Sequence, residues 1–120
     1  MERPLKGDIV LVNFPFTDLS GFSKRPALVL ATLRGDDTIL CQITTQKSRY
    51  DEYAINLENS DISIGELPHS SYIRVNKLFT ASKRVILKKI GKVTKNKLSE
   101  TEKKLFEVIK KEPKNKTPSP

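Results

Sequence analysis

Short apolar segments rich in β-branched and aromatic residues follow one another along most of this chain, and none has the length of an ordinary helix. They fall at 8–14, 27–31, 38–43, 53–57, 62–64, 72–75 and 85–93. Turn formers divide them: Pro15, the Arg34-Gly35-Asp36-Asp37 run and Gly65, with Gly91 marking a bend inside the last segment. Strands this short and this closely spaced predict a mainly β chain closed into a small barrel. The final segment differs. Ser99 with Glu102 three residues on reads as a capping box, and Leu105, Val108 and Ile109 recur at helical spacing beside Phe106. A C-terminal helix with one face docked on the barrel is expected, ended by Glu112-Pro113. The reading gives one domain over residues 1–112 and a disordered Lys/Pro-rich tail over 113–120.

At 120 residues the chain has room for one core and not for a two-domain enzyme. No run is apolar enough for a membrane span, and Glu2, Arg3 and Lys6 stand where a secretory leader needs apolar residues. A lone cysteine, Cys41, lies in an apolar segment, so it reads as a core residue in a reducing cytoplasm, with a nucleophilic role as the alternative. The net charge of +8 is unevenly placed: residues 83–120 hold 13 basic against 4 acidic side chains. Such an excess attracts polyanions, nucleic acid first among them, or simply keeps the protein soluble.

No phosphate loop, dinucleotide fingerprint or cysteine pair is present, and the single histidine, His69, lies in a loop. It reads as an exposed loop histidine or, failing that, a catalytic one. Arg25 and Thr44 are more telling. If 27–31 and 38–43 pair as a hairpin, Arg25 enters the first strand at the end where Thr44 leaves the second. A guanidinium offers a fork of donors to phosphate oxygens, and a nearby hydroxyl can donate to the same group. Each also has a plain structural reading: Arg25 paired with Asp18 or Glu66, and Thr44 facing solvent. RNA carries its own nucleophile, so a ribonuclease built without histidine or metal must chiefly stabilise a crowded, more negative phosphorus centre.

The stretches Gly7-Asp8-Ile9-Val10-Leu11-Val12-Asn13-Phe14, Lys24-Arg25-Pro26-Ala27-Leu28-Val29-Leu30, Ile43-Thr44-Thr45-Gln46 and Ser71-Tyr72-Ile73-Arg74-Val75-Asn76, with 78–81, together resemble the small bacterial toxins called MazF, PemK or Kid. The resemblance covers about residues 7–112. It implies an SH3-like β-barrel with a C-terminal α-helix, a homodimer, and cleavage of single-stranded RNA to a 2′,3′-cyclic phosphate and a 5′-hydroxyl without a cofactor. Arg25 and Thr44 match the family's catalytic pair. Lys24, Thr45, Gln46, Lys47, Arg49, Arg74 and Asn76 are the RNA-binding residues expected, Arg74 matching a basic residue that some members use near the scissile phosphate. Asn76 replaces an aspartate of certain members and cannot act as a base, so the proton acceptor stays open among Glu66, His69 and Ser48. An antitoxin with a flexible segment is the implied partner, anchored by Phe16, Leu19 and Phe22 in the loop that shapes the groove. Two other readings stand beside this one: a gyrase poison of the same barrel, and a barrel that binds single strands without cutting them.

Overall fold

In a computed structural model, residues 3–15, 22–46 and 51–111 are described. Seven strands form one curled antiparallel sheet: β1 (Asp8–Pro15), β2 (Phe22–Thr32), β3 (Asp37–Thr44), β4 (Ala54–Leu57), β5 (Ile62–Gly65), β6 (Ser71–Ser82) and β7 (Ile86–Val93). They lie in the order β4-β6-β3-β2-β1-β7-β5, a half-barrel followed by one helix, α1 (Lys95–Lys110). The fold is the mainly β one with a C-terminal helix that the sequence implies.

Both faces of the sheet are covered, which is why the central strands read as nearly continuous apolar runs. Ile9, Leu28, Cys41, Ile43, Ile73 and Val75 point to one side, where Leu98, Leu105 and Val108 of α1 pack on them. Val10, Val12, Ala27, Val29, Leu40, Ala81 and Ile86 fill the other, closed by Phe14 and Phe79 in an edge-to-face contact with ring centroids 4.7 Å apart. Cys41 is fully buried, as a core residue should be, and burial pushes its thiol up to about 12. A thiol that ionises more readily unfolded than folded costs stability as pH rises through its unfolded pKa. Wild-type protein is therefore expected to lose stability above pH ~9 relative to Cys41→Ala, measured by denaturant titration at pH 8 and pH 10.

Three elements depart from expectation. Strand β2 begins at Phe22, so Arg25 lies within it, opposite Val12 of β1. Strand β6 runs on to Ser82 because a register break absorbs three residues: Gln42 faces Arg74, yet Cys41 faces Leu78. The helix starts at Lys95, capped by Thr94, whose Oγ1 accepts the Lys97 backbone N–H at 3.1 Å. Ser99 is inside it and exposed, and Glu102 pairs with Lys6 at 2.6 Å instead of closing a capping box. The buried stripe of α1 is Leu98, Thr101, Leu105 and Val108, which leaves Ile109 64 % exposed, a further 100° round the helix.

Strands β4 and β5, four residues each, are the sheet's two edges. At β4 the buried Lys97 Nζ donates to the Asn56 carbonyl at 2.9 Å and pairs with Glu100 at 2.9 Å and Asp61 at 3.6 Å. Lys97 thus ties the first turn of α1 to the edge strand. Its truncation removes a packed stem and three polar contacts at once, leaving the partly buried Asn56 carbonyl without its donor, so Lys97→Ala is expected to cost about 1–2 kcal/mol, or roughly 4–12 °C in Tm. Lys97→Met, which keeps the packed stem, is expected to cost less. At β5, Gly65 takes φ +78° and crosses Gly91 of β7 so closely that a Cβ on Gly65 would lie 2.3 Å from the Ile90 carbonyl oxygen.

Candidate nucleic-acid interface

Opposed residues of an antiparallel pair share a face, and alternate residues of a strand share it too. Ala27 lies opposite Gln42 and Val29 opposite Leu40, so Arg25, two residues back along β2, shares the face of Thr44, two residues on along β3. Thr44 in turn lies opposite Tyr72, and Gln42 opposite Arg74. Arg25, Gln42, Thr44, Tyr72 and Arg74 therefore occupy one face at one end of the sheet, beyond the apolar cluster of Val10, Ala27 and Leu40.

Arg25 is exposed, and among the described residues nothing pairs with its guanidinium. Glu66 does not, and Asp18 lies outside the described residues. Thr44 is half-buried at the strand end, where its Oγ1 accepts the Gln46 backbone N–H at 3.1 Å. That bond fixes the oxygen and leaves the hydroxyl proton available for another acceptor. Thr44 thus sits as an oriented donor on the same face as a guanidinium that is uncommitted among the described residues.

Arg74 is held differently. Its Nε lies 3.2 Å from Oδ2 of Asp51, whose side chain is only 4 % exposed. The two atoms attract as charges but are off the hydrogen-bond axis, since neither makes a hydrogen bond. The other Asp51 oxygen accepts the Tyr53 backbone N–H at 3.1 Å.

The remaining expected residues are more scattered. Lys24 is exposed, but it neighbours Arg25 in β2 and so projects from the opposite face. Thr45 and Gln46 are exposed just past β3, and Asn76 is exposed inside the β6 register break. Lys47, Arg49, Ser48, Phe16 and Leu19 lie outside the described residues, as does the side chain of Phe22. His69 and Glu66 are exposed in the segment leading into β6, and the His69 carbonyl accepts the Ser71 hydroxyl at 2.9 Å. Gln42, Tyr72 and Asp51 were not anticipated. Register parity singles out the first two once β2, β3 and β6 are aligned, whereas no local pattern marks Asp51.

A cavity of about 360 Å³ lined by Arg3, Asp36, Asp37 and Lys83 sits at the far end of β2 and β3, where Lys83 already pairs with Asp36 at 3.4 Å. Among the described residues no three His, Cys, Asp or Glu side chains converge as metal ligands, and no helix is long and apolar enough to cross a membrane. On the Arg25 face, at the strand end where Thr44 lies, among the described residues, Arg25 and Arg74 supply the positive charge.

Solved structures share this architecture. The MazF toxin in the MazE–MazF complex from Deinococcus radiodurans superposes with a TM-score of 0.69 over 90 % of this chain and 97 % of its own, at 21 % identity. An endoribonuclease in complex with its cognate antitoxin from Mycobacterial species gives 0.68 over 92 % and 99 %, at 17 % identity. The Mycobacterium tuberculosis toxin MazF-mt6 gives 0.59 over 85 % and 91 %, at 18 % identity. At these identities the likeness is one of fold. No curated protein matches the sequence. The family model described as PemK-like, MazF-like toxin of type II toxin-antitoxin system, however, matches residues 5–109, so the chain belongs to that family of toxins.

Proposed function

We propose that this toxin is a metal-independent endoribonuclease that cuts single-stranded RNA from the sheet face of Arg25 and Thr44. One observation carries the reading: within this toxin fold, a guanidinium without a partner among the described residues shares a strand-end face with an oriented hydroxyl. The RNA 2′-oxygen attacks the adjacent phosphorus, the new O2′–P bond forms as the P–O5′ bond breaks, and the products are a 2′,3′-cyclic phosphate and a 5′-hydroxyl. One proton leaves O2′ and one is gained by O5′. Arg25 neutralises the charge that grows on the non-bridging oxygens, and the Thr44 hydroxyl donates to one of them. Threonine is too weak an acid or base at neutral pH to carry the proton transfers itself.

The chain acts as a homodimer, and a cognate antitoxin with a flexible segment blocks the RNA surface. Three of the similar structures are toxin–antitoxin complexes, which supports an antitoxin as partner. The test is to incubate purified protein with a long single-stranded RNA in EDTA and to map the new ends. Discrete cuts bearing 5′-hydroxyls are expected; RNA left intact by a folded protein would sink the reading. Light scattering checks the dimer.

A further inference from the structure

We propose that Asp51 is a positioning residue for Arg74, holding its guanidinium on the face of Arg25 and Thr44 so that its terminal nitrogens meet a backbone phosphate of bound RNA. The inference rests on the endoribonuclease reading above. A carboxylate as buried as that of Asp51 costs free energy unless it is compensated, and its compensation is lopsided. One oxygen is fixed to the chain through the Tyr53 N–H, and the other, among the described residues, meets only the Arg74 Nε, without a hydrogen bond. The carboxylate is rigid, and the arginine is tethered by the stem side of its planar head.

The head's outer side is what remains. Arg74 keeps 27 % exposure, and among the described residues nothing but Asp51 pairs with it. It stands on β6 two residues from Tyr72, which lies opposite Thr44. A guanidinium presents donors along two edges, so engagement through Nε leaves the terminal pair of nitrogens for a bidentate phosphate contact. Without Asp51 the long side chain regains its rotamers, and the phosphate contact must then bear the cost of ordering it. Asp51 thus acts on RNA only through Arg74.

A double-mutant cycle tests this on the full chain, using an RNA oligonucleotide that wild-type protein cleaves and its non-cleavable counterpart with a single 2′-deoxy substitution at the cut site. In the wild-type background, Asp51→Asn is expected to lower kcat/KM and affinity for the deoxy probe by about tenfold. In the Arg74→Ala background the same change is expected to alter either by less than about twofold. Equal losses in both backgrounds, or none in either, would overturn the proposal while leaving the endoribonuclease reading intact. Wild-type protein that neither cuts nor binds RNA overturns both. Asp51→Asn leaves Arg74 half-buried without its partner and is checked by melting; the double variant removes both charges. If Asp51→Asn alone does not fold, Asp51→Glu must show the same dependence on Arg74, and a loss indifferent to Arg74 overturns the proposal.

Discussion

Replacing Arg25 by alanine is expected to lower kcat/KM for single-stranded RNA by about 10²–10³-fold, the usual cost of removing one donor aimed at developing transition-state charge. The melting temperature should hardly move. Arg25 is exposed and unpartnered among the described residues, and substitutions of that kind change stability by no more than about 0.5 kcal/mol. Activity lost from a protein of unchanged stability is the signature of a group reserved for a ligand. Arg25→Lys separates charge from shape: the ammonium keeps the positive charge but loses the planar fork, so partial activity is expected. Initial rates at a mapped cleavage site, with melts on the same samples, supply the check. Full activity in Arg25→Ala would remove this residue from the site.

The largest stability effect is expected where β5 crosses β7. Gly65→Ala forces a side chain into a left-handed backbone and, worse, into a carbonyl oxygen 2.3 Å away. Backbone atoms held in a sheet cannot swing aside as a side-chain terminus can. A loss of about 2–4 kcal/mol is expected, from left-handed strain of about 1–2 kcal/mol plus overpacking of similar size. Gly35→Ala is the control. Its φ is also +78°, but nothing lies within 4 Å of the Cβ it would gain, so only the strain remains. Urea melts of both variants isolate the steric part as their difference, and equal losses would show that the crossing yields to a methyl group without cost.

The sequence locates the strands better than it bounds them. Apolar runs at 8–14, 38–43 and 85–93 match β1, β3 and β7 to within a residue or so at each end, because β-branched residues between turn formers have few other uses. Strand β6 was legible only in part, since a three-residue break in register leaves Val75, Asn76 and Lys77 without a repeating pattern. The helix start was misplaced for a related reason. Ser99 and Glu102 have the capping spacing, but Leu98 must already be helical to reach the core, and Thr94 is the residue free to be extended. Arg25 and Thr44 meet on one face because hairpin register follows from alternation alone. The Asp51–Arg74 contact joins residues far apart in sequence, and Asp51 lies just ahead of β4, outside any alternating run, so only coordinates could reveal it.

The two short borders of the sheet bear on how this protein behaves in a crowd of its own copies. An unpaired strand offers hydrogen bonds to any passing chain, and long, flat, apolar borders are where aggregates begin. Here one border is four residues with a carbonyl already taken by an ammonium from the helix, and the other is pinned against its neighbour at a glycine crossing. Removing the ammonium should therefore do more than loosen the helix: it frees a backbone acceptor on the border for a strand of another copy, with only the shortness of β4 left as protection.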